Sequence, residues 1–365
     1  MSPASPKTCC ADLQKWIDMQ MTTKITVGIT RDFFDAEGNF DLPGPGLELF
    51  DEMSGVQYRI LAERSAEIAS EQVRGCDAVI SGGSRWSERS LVGNDQLVAV
   101  LLTGVGYDHV DVEALTRANT MLCLAPDAVR RPMACTIITF ILALATRLIN
   151  KDRITREGRW ADQHLYRGEG VTGKTLGSIG VGNIGHEMFL LAKPFGMRHL
   201  GCDPRLSEED VADVDVELVD MDTLLAESDF VSISVPLSEQ TRHLIGEREL
   251  NLMKPTAYLI NTSRGPVVDE QALIRILQSG RIRGAGLDVF EQEPVDADNP
   301  LLKMDNVVVA PHSLCHTDEY YMQTWRGRLR QVARIERGEI PEHVVNREVL
   351  EKPELQAKLE RLQRR

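Results

Sequence analysis

The sequence has few of the features that mark secreted, membrane-spanning or nucleic-acid-binding proteins. Its seven cysteines are an odd number and none forms a CxxC pair, which argues against a disulfide framework and against a zinc or redox motif. Residues 1–20 contain no apolar segment of the kind that a signal peptide needs. Positive charge is scarce, with 41 Lys and Arg against 55 Asp and Glu, and the net charge of −14 opposes nucleic acid and anionic membranes as partners. These absences predict a cytoplasmic protein with reduced thiols and without a metal site.

The sequence also lacks an apolar run long enough to cross a bilayer. Its most apolar long segment runs from Pro132 to Leu148, and Arg131 and Arg147 enclose only 15 uncharged residues. A membrane span needs about 20 such residues, so we predict a buried helix here. The composition is that of an ordinary globular protein, with 42% hydrophobic and 26% charged residues, and the length of 365 residues suits two domains.

Short apolar runs alternate with stretches of helical spacing from Lys24 onwards. In the first part of the chain, strands are predicted at 25–29, 58–61, 78–80, 97–102 and 121–124, with helices at 63–73 and 112–118. After the apolar helix, strands are predicted at 176–181, 199–202, 230–235, 257–261, 284–288 and 307–310, with helices at 184–195, 221–226 and 270–279. Such alternation predicts two α/β domains with parallel sheets.

The same pattern predicts the domain boundaries. Residues 1–22 have no clear period and are interpreted as an N-terminal extension. The first domain is expected at 23–125 and the second at 126–316, and a helix at 320–337 within a return segment, 317–346, is expected to rejoin the first domain. The charge-rich end of the chain, 347–365, is interpreted as a solvated helix or a frayed tail.

A glycine-rich turn follows the strand predicted at 176–181. Gly180, Gly182 and Gly185 form the pattern G-x-G-x-x-G, whose glycines permit a tight turn and the approach of a pyrophosphate to a helix N-terminus. The next predicted strand ends in Asp203, where a carboxylate can accept hydrogen bonds from an adenosine ribose and repel a 2′-phosphate. The pattern predicts a doubly wound, Rossmann-type domain that binds NAD in preference to NADP. A methyltransferase could share these residues but not the motifs that follow them.

Three further motifs end predicted strands of the same sheet, at the edge where open α/β sheets bind ligands. They contain Arg264, Glu293 and His312. A histidine can give a proton to a developing alkoxide near neutral pH, and a neighbouring carboxylate favours its protonated form. A guanidinium can hold a substrate carboxylate, and its charge offsets the negative net charge locally. Each residue alone would suit a surface ion pair, a turn or a cap, but together they predict hydride transfer at the 2-position of a small 2-hydroxy or 2-keto acid.

Over about residues 24–345 the chain resembles the D-isomer-specific 2-hydroxyacid dehydrogenase family, which carries an N-x-x-R-G motif and a later Glu–His pair. The resemblance implies that Arg264 binds substrate and that Glu293 and His312 transfer the proton. It implies that the backbone around Val105 and Gly106 faces the substrate carboxylate, that the smaller domain is flavodoxin-like, and that the protein forms a homodimer through its nucleotide domain. It further implies that Asp288 holds the nicotinamide carboxamide and that five residues line the cofactor, namely Asn183, Ile184, Val235, Thr262 and Ser263.

The chain departs from the family after His312. Family members usually carry small residues or an aromatic there, whereas this chain has Ser313-Leu314-Cys315-His316. If the segment is helical, the spacing of four residues places His316 on the same face as His312, where it would contact the side chain of the substrate. A solvent-facing histidine is the alternative. The segment 31–45, with its three phenylalanines, also lacks an obvious counterpart in the family.

Two other functions suit the same fold. One is a non-catalytic, NAD-sensing corepressor, which the lack of long disordered recruitment segments disfavours. The other is a formate-dehydrogenase-like enzyme, which needs no proton-transfer pair and is disfavoured by Glu293 and by Pro311 before His312. The sequence names neither the substrate nor the physiological direction of the reaction.

Overall fold

The structure, a computed structural model, describes residues 25–35, 37–42 and 46–364, so the extension predicted at 1–22 lies outside the described residues. The described residues form two compact units. The first unit contains the described residues up to Ala128 and those from Asp318 onwards. The second unit contains Val129–Thr317. The boundaries between the units therefore lie after Ala128 and after Thr317. The sequence analysis expected the domain boundaries after residues 125 and 316.

The first unit is built on a five-stranded parallel sheet, with strands β1 Ile25–Ile29, β2 Val56–Ile60, β3 Ala78–Ser81, β4 Ala99–Leu102 and β5 Met121–Cys123. Their order across the sheet is β2-β1-β3-β4-β5, which is the flavodoxin-like order that was predicted. β3 and β4 are buried over their whole length, because helices cover both faces of such a sheet and leave no polar face along the strands.

The second unit is built on a seven-stranded parallel sheet, with strands β6 Thr175–Ile179, β7 Arg198–Cys202, β8 Val216–Leu218, β9 Phe230–Ile233, β10 Tyr258–Asn261, β11 Gly284–Leu287 and β12 Val307–Val309. The order β12-β11-β10-β9-β6-β7-β8 is that of a doubly wound dinucleotide fold with one additional edge strand, which confirms the predicted fold class. The sequence analysis missed β8, because its three residues include the charged Glu217 and form no apolar run, unlike the three valines of β12 at the other edge of the sheet.

The helices, numbered in chain order, are α1 Ser70–Val73, α2 Glu88–Leu91, α3 Val112–Arg117, α4 Pro126–Thr146, α5 Leu148–Arg156, α6 Asn183–Ala192, α7 Met221–Glu227, α8 Glu247–Leu252, α9 Glu270–Gln278, α10 Asp318–Glu336 and α11 Pro353–Gln363. Aspartates begin several of them by accepting a hydrogen bond from a backbone N–H of the first turn, as Asp111, Asp220 and Asp269 do.

The apolar helix α4 is a core helix, as predicted. It is long and apolar enough to cross a membrane by length and composition, but 67% of its most apolar window is buried in the protein. Ile137, Phe140 and Leu144 belong to a hydrophobic cluster with residues of β6, β9 and β10. The helix begins at Pro126 rather than at 132, and Arg147, in a left-handed conformation, separates it from α5.

The helix predicted at 63–73 is wrong over most of its length, and only α1 is helical there. The backbone N–H of Ile68 donates to the carbonyl of Arg85, and the N–H of Arg85 donates to the carbonyl of Ala66. These bonds to a distant loop hold the segment extended, because a backbone group that pairs across the chain is not available for a helix. Helical spacing alone did not reveal this competing partner.

The described parts of the segment 31–45 pack on the core of the first unit. The ring centroid of Phe33 lies 5.9 Å from that of Trp325 in α10, and Phe40 lies 5.2 Å from the same ring. Phe34 packs edge-on against Phe40 at 5.6 Å. The three phenylalanines therefore form an aromatic cluster over α10, and the segment contributes to the stability of the first unit.

The end of the chain is not the solvated or frayed tail that its charge suggested. Leu355, Leu359 and Leu362 of α11 are buried in the same hydrophobic cluster as β1, β3 and β4. Lys358 Nζ is buried and donates hydrogen bonds to the carbonyls of Leu97, Ala118 and Asn119. Burial lowers the pKa of Lys358 to about 8, and the three carbonyls occupy all its donors. The charges of 347–365 lie mainly on the other face of an amphipathic helix, so α11 belongs to the first unit.

We expect Leu355→Ala to lower the thermal unfolding temperature by several degrees, because truncating a fully buried leucine costs about 2–5 kcal/mol. Glu360→Ala, on the exposed face of the same helix, is the matched control and should change stability by about 0.5 kcal/mol or less. Circular dichroism during heating measures both variants. Equal unfolding temperatures for the two would mean that α11 does not pack on the core in solution.

Candidate functional site

The turn between β6 and α6 carries the glycine pattern. Gly180 has φ +88°, and a side chain there would approach the carbonyl oxygen of Ser234 to 2.6 Å and Val235 Cγ1 to 2.8 Å. A Cβ on Gly185 would lie 2.5 Å from the carbonyl oxygen of Gly180, so this glycine lets the helix pack closely on the turn. A Cβ on Gly182, in contrast, would meet nothing within 4 Å. The turn therefore presents open space in front of the N-terminus of a ten-residue helix, which fits the pyrophosphate of a dinucleotide.

Asp203 follows directly after β7, at the same edge of the sheet. It is buried, and its carboxylate accepts a hydrogen bond from the backbone N–H of Val181 at 3.2 Å. Arg205 donates to both carboxylate oxygens at 3.2 Å, although its own side chain is 73% exposed. Burial raises the pKa of Asp203, but the bonds from Arg205 and Val181 outweigh burial and hold that pKa below its usual value. The carboxylate is therefore charged at neutral pH, and it holds the exposed Arg205 side chain in place.

Arg264 lies in a turn that follows β10. The Asn261 side chain shapes this turn, because its oxygen accepts from Ser263 N and Oγ at 3.0 Å and its amide donates to the Arg264 carbonyl at 2.9 Å. Thr262 is buried in the turn, and Ser263 is half-buried. The Arg264 guanidinium donates to the carbonyl of Ser263 at 2.9 Å. The N-x-x-R-G motif thus encodes both the arginine and the asparagine that holds its backbone.

Glu293 and His312 are in contact, 19 residues apart in the sequence. His312 Nδ1 lies 2.7 Å from Glu293 Oε2, and the other carboxylate oxygen accepts from the backbone N–H of Phe290 at 3.0 Å. Burial raises the pKa of Glu293, but the hydrogen bond from His312 outweighs it, with further help from the positive charge of Arg264, so that pKa lies below its usual value. Because an ionised carboxylate only accepts, Nδ1 carries the hydrogen and Nε2 is left to face another group.

Asp288 holds the loop that carries His312. Its carbonyl accepts from the backbone N–H of His312 at 2.7 Å, and its Oδ1 accepts from the N–H groups of Ser313 and Leu314 at 3.1 and 3.3 Å. His312 has φ +53°, a left-handed conformation that costs a residue with a side chain about 1–2 kcal/mol. The hydrogen bonds that the buried Asp288 accepts from this loop compensate for the strain and aim the imidazole. Burial raises the pKa of Asp288.

His316 is close to His312, but not in the predicted manner. Residues 312–316 form a turn, in which the N–H of His316 donates to the carbonyl of Ser313, and α10 begins only at Asp318. His316 is exposed to solvent on one side. Partial desolvation by the surrounding protein is the larger cause that lowers the pKa of His316, and the positive charge of His312 is the smaller one. Cys315, beside it, is buried, and burial followed by the charge of Asp288 raises its thiol pKa to about 12. The thiol is therefore protonated and unreactive.

The second unit thus brings together five of the predicted residues, Arg264, Asp288, Glu293, His312 and His316, whose charges act on one another. Val105 and Gly106 lie in the first unit, half-buried in the loop directly after β4. Asn183 and Ile184 begin α6, and Val235 follows β9 next to Gly180. No cluster of His, Cys, Asp or Glu that could hold a metal ion occurs among the residues described here.

The sequence analysis missed a histidine–carboxylate pair in the second unit whose carboxylate residue lies close to Glu293 in the sequence. His243 Nε2 lies 2.6 Å from Glu291 Oε1, and Glu291 is two residues before Glu293. The two residues are 48 positions apart, and His243 stands in no recognisable motif. No pattern in the sequence therefore joined it to Glu291.

Comparisons with known proteins agree with this geometry. Residues 138–313 match the NAD-binding domain of the D-isomer-specific 2-hydroxyacid dehydrogenases. The chain is 39% identical to the glyoxylate reductase of Korarchaeum cryptofilum over 315 residues, which is 85% of this chain and 95% of that protein. It is 37% identical to the D-3-phosphoglycerate dehydrogenase of Methanocaldococcus jannaschii over 278 residues, which is 76% of this chain and 53% of that protein.

A solved structure of the same kind is that of D-lactate dehydrogenase from Aquifex aeolicus, complexed with NAD and lactic acid. It superimposes with a TM-score of 0.76 at 26% identity, over 88% of this chain and 99% of that chain. The sheet order, the glycine turn and these similarities lead to one conclusion: the chain belongs to the D-isomer-specific 2-hydroxyacid dehydrogenases, a family of NAD-dependent enzymes.

Proposed function

We propose that this enzyme interconverts a small 2-keto acid and the corresponding 2-hydroxy acid, with His312 as the acid and base, Glu293 as its partner and Arg264 as the substrate-binding cation. The observation that carries the proposal is the 2.7 Å contact between His312 Nδ1 and Glu293 Oε2, beside the charge of Arg264. A histidine so held keeps Nε2 available for the reacting oxygen.

In the direction of reduction, a bound NADH would supply the hydride for the carbonyl carbon at the 2-position. His312 then gives the proton on Nε2 to the carbonyl oxygen, so that a hydroxyl forms and the imidazole becomes neutral. Glu293 stabilises the protonated imidazole beforehand and fixes its orientation through Nδ1. In the opposite direction, His312 takes the hydroxyl proton as a base. An ionised Glu293 suits both directions because its charge does not change.

Arg264 suits the binding of the substrate carboxylate, since its planar guanidinium can form two parallel hydrogen bonds to two oxygens. The net charge of −14 repels an anionic substrate, and Arg264 provides a local positive charge where it is needed. By the family resemblance, the backbone N–H groups of Val105 and Gly106 also bind this carboxylate. Because the Korarchaeum relative is named a glyoxylate reductase, we propose a keto acid as small as glyoxylate as one substrate.

We propose that NAD binds along the carboxyl edge of the second sheet. Gly180, Gly182 and Gly185 would leave room for the pyrophosphate at the start of α6, which Asn183 and Ile184 begin. The Asp203 carboxylate would accept hydrogen bonds from the adenosine ribose, and its charge favours NAD over NADP. The rest of the cofactor would be lined by Val235, Thr262, Ser263 and Asp288. We further propose a cytoplasmic location.

The proton-transfer pair is tested by His312→Ala, which should lower kcat by roughly 10²–10⁴ because a general acid contributes about that much. NADH affinity, measured by fluorescence titration, should stay unchanged. In Glu293→Gln, the alkaline limb of the pH–rate profile for keto-acid reduction should move to lower pH, because the charge that favours protonated His312 is lost. Near-normal turnover by His312→Ala would show that the pair is not catalytic. A wild type without turnover on any 2-keto acid would favour the non-catalytic alternative.

We also propose that His316 contributes to the choice of substrate. Its lowered pKa leaves the ring largely neutral at pH 7, so it suits a hydrogen bond to a polar substituent better than an ion pair with a charged one. His316→Ala should change the ranking of kcat/KM across a panel from glyoxylate to 2-keto acids with polar side chains, and should leave NADH affinity unchanged. A uniform small change across the panel would support the solvent-facing alternative.

The homodimer implied by the family resemblance is proposed to form through the second unit. Four large apolar side chains between the start of α5 and residue 165 are 52–71% exposed, namely Leu148, Ile149, Trp160 and Leu165. Exposed apolar residues concentrated in one segment are typical of an interface between proteins. We expect light scattering to give twice the 40.7 kDa of one chain, and Leu165→Asp to reduce this mass towards 40.7 kDa. Val92→Asp, at a 65% exposed position of the first unit, is the matched control and should leave the mass unchanged.

A further inference from the structure

Two segments carry the proposed catalytic groups of the second unit, and they touch through their backbones. One is the turn with Arg264, and the other is the loop from Phe290 to Glu293. At Gly265 a Cβ would lie 1.9 Å from the carbonyl carbon of Phe290 and 2.4 Å from the backbone nitrogen of Glu291. The position of Arg264 relative to Glu293 is therefore set by a close contact that any shift of either segment would disturb.

His243 is bonded to both segments. Its backbone N–H donates to the carbonyl of Pro266 at 2.8 Å, and two residues on, Ile245 N donates to the carbonyl of Val267 at 3.1 Å. Its imidazole Nε2 lies 2.6 Å from Glu291 Oε1. His243 thus joins the backbone just after Arg264 to the side chain of the residue two positions before Glu293.

The backbone of His243 is in an unfavourable conformation that serves this geometry. Its φ is +51°, in the left-handed region that a residue with a side chain adopts only at a cost in free energy. The side chain is 47% exposed, so burial of the ring does not compensate for that cost. Strain of this kind in an exposed residue is typical of a position where the surrounding structure needs a particular direction of the side chain.

A further contact holds the same loop from the other side. The backbone N–H of Glu291 donates to Glu270 Oε2 at 2.9 Å, and Glu270 is the first residue of α9. The charged groups that face the Glu291 carboxylate are therefore His243 and, at the start of α9, Glu270. Those that act on His312 are Glu293, Asp288 and His316. The two groups of charges are joined through the backbone from Glu291 to Glu293.

We propose that His243, through Glu291, is a positioning residue that keeps Arg264 and the Glu293–His312 pair in their working arrangement. The inference rests on the proposed function, because it assigns His243 a role only through those three residues. A contact between two solvent-accessible side chains adds little to stability, so the effect of losing the His243–Glu291 contact should appear in the reaction rather than in unfolding. Displacing Arg264 weakens substrate binding, and displacing Glu293 weakens its contact with His312.

The test uses His243→Asn in the full-length enzyme, because asparagine tolerates the left-handed backbone but is too short to reach Glu291. We expect kcat/KM for the keto acid to fall about tenfold, since small misplacements of catalytic groups are costly, and KM to rise as part of that fall. The alkaline limb of the pH–rate profile should move to lower pH, as in Glu293→Gln but by less. NADH affinity and the unfolding temperature should stay close to those of the wild type.

Two sets of variants sharpen the result. Glu291→Ala removes the same contact from its other side, and with it the acceptor that lies 3.4 Å from the Glu270 backbone nitrogen. It should therefore lower kcat/KM at least as far as His243→Asn, and the double variant should be no worse than Glu291→Ala. Glu291→Gln keeps an acceptor for His243 and should recover most of the activity. His343→Asn is the matched control, because His343 also has a left-handed backbone, φ +59°, and a carboxylate partner, Asp127, at 3.2 Å. It should leave KM and the pH profile unchanged.

A lower kcat in His243→Asn with KM and the pH profile of the wild type would overturn the inference, as would additive effects in the double variant. The proposed function is tested by different variants from those that test the role of His243. If His312→Ala and Glu293→Gln turn over normally, the proposed function fails, whereas a loss of activity in those variants beside a normal His243→Asn contradicts only the role of His243.

Discussion

Parallel strands that share one sheet all end at the same edge, and the candidate site of the second unit depends on this constraint. β6, β7, β10, β11 and β12 are each followed by a predicted site residue or motif, although the motifs are spread from residue 180 to residue 312. The sheet brings them to one edge, and there the motifs contact one another, as Glu293 and His312 do. Ligands of open α/β sheets bind at that edge for the same reason, because only there do loops from several strands converge.

The edge provides proximity, but hydrogen bonds within the loops provide direction. Asn261 shapes the turn of Arg264, and Asp288 holds the loop of His312 in a left-handed conformation. Each of these is the last residue of its strand or directly follows it, so a rigid element anchors a strained loop. A site built in this way keeps its geometry because the cost of the strain is met by buried polar contacts.

The charges of the site are also set by local contacts rather than by the net charge of the chain. The whole chain is strongly negative, yet the site combines one permanent cation, Arg264, with a carboxylate that is kept ionised and a histidine that can exchange a proton. Asp203, at the other part of the edge, is also kept ionised, by Arg205 and a backbone N–H. An anionic substrate and a dinucleotide can therefore be recognised by local groups in spite of the overall field.

The sequence by itself determined what depends on local pattern: the alternation of strands and helices, the doubly wound sheet, the buried helix α4, and the motifs that contain the candidate residues. These follow from periodicity and from residue types with a narrow chemical use, such as glycine at a positive φ or a histidine beside a carboxylate. The contact of Glu293 with His312 could also be predicted, because both motifs follow neighbouring strands.

Only the tertiary structure decided the features that depend on a partner far away in the chain. α11 is buried through its leucines although its charges suggested a solvated tail, and residues 66–68 are extended because Arg85 pairs with them. Residues 312–316 form a turn because Asp288 accepts their backbone N–H groups, although their spacing suggested a helix. His243 contacts Glu291, which is 48 positions away in the sequence. In each case the free energy of a long-range contact exceeds a local preference of about 1 kcal/mol, and no local pattern records which distant residue provides that contact.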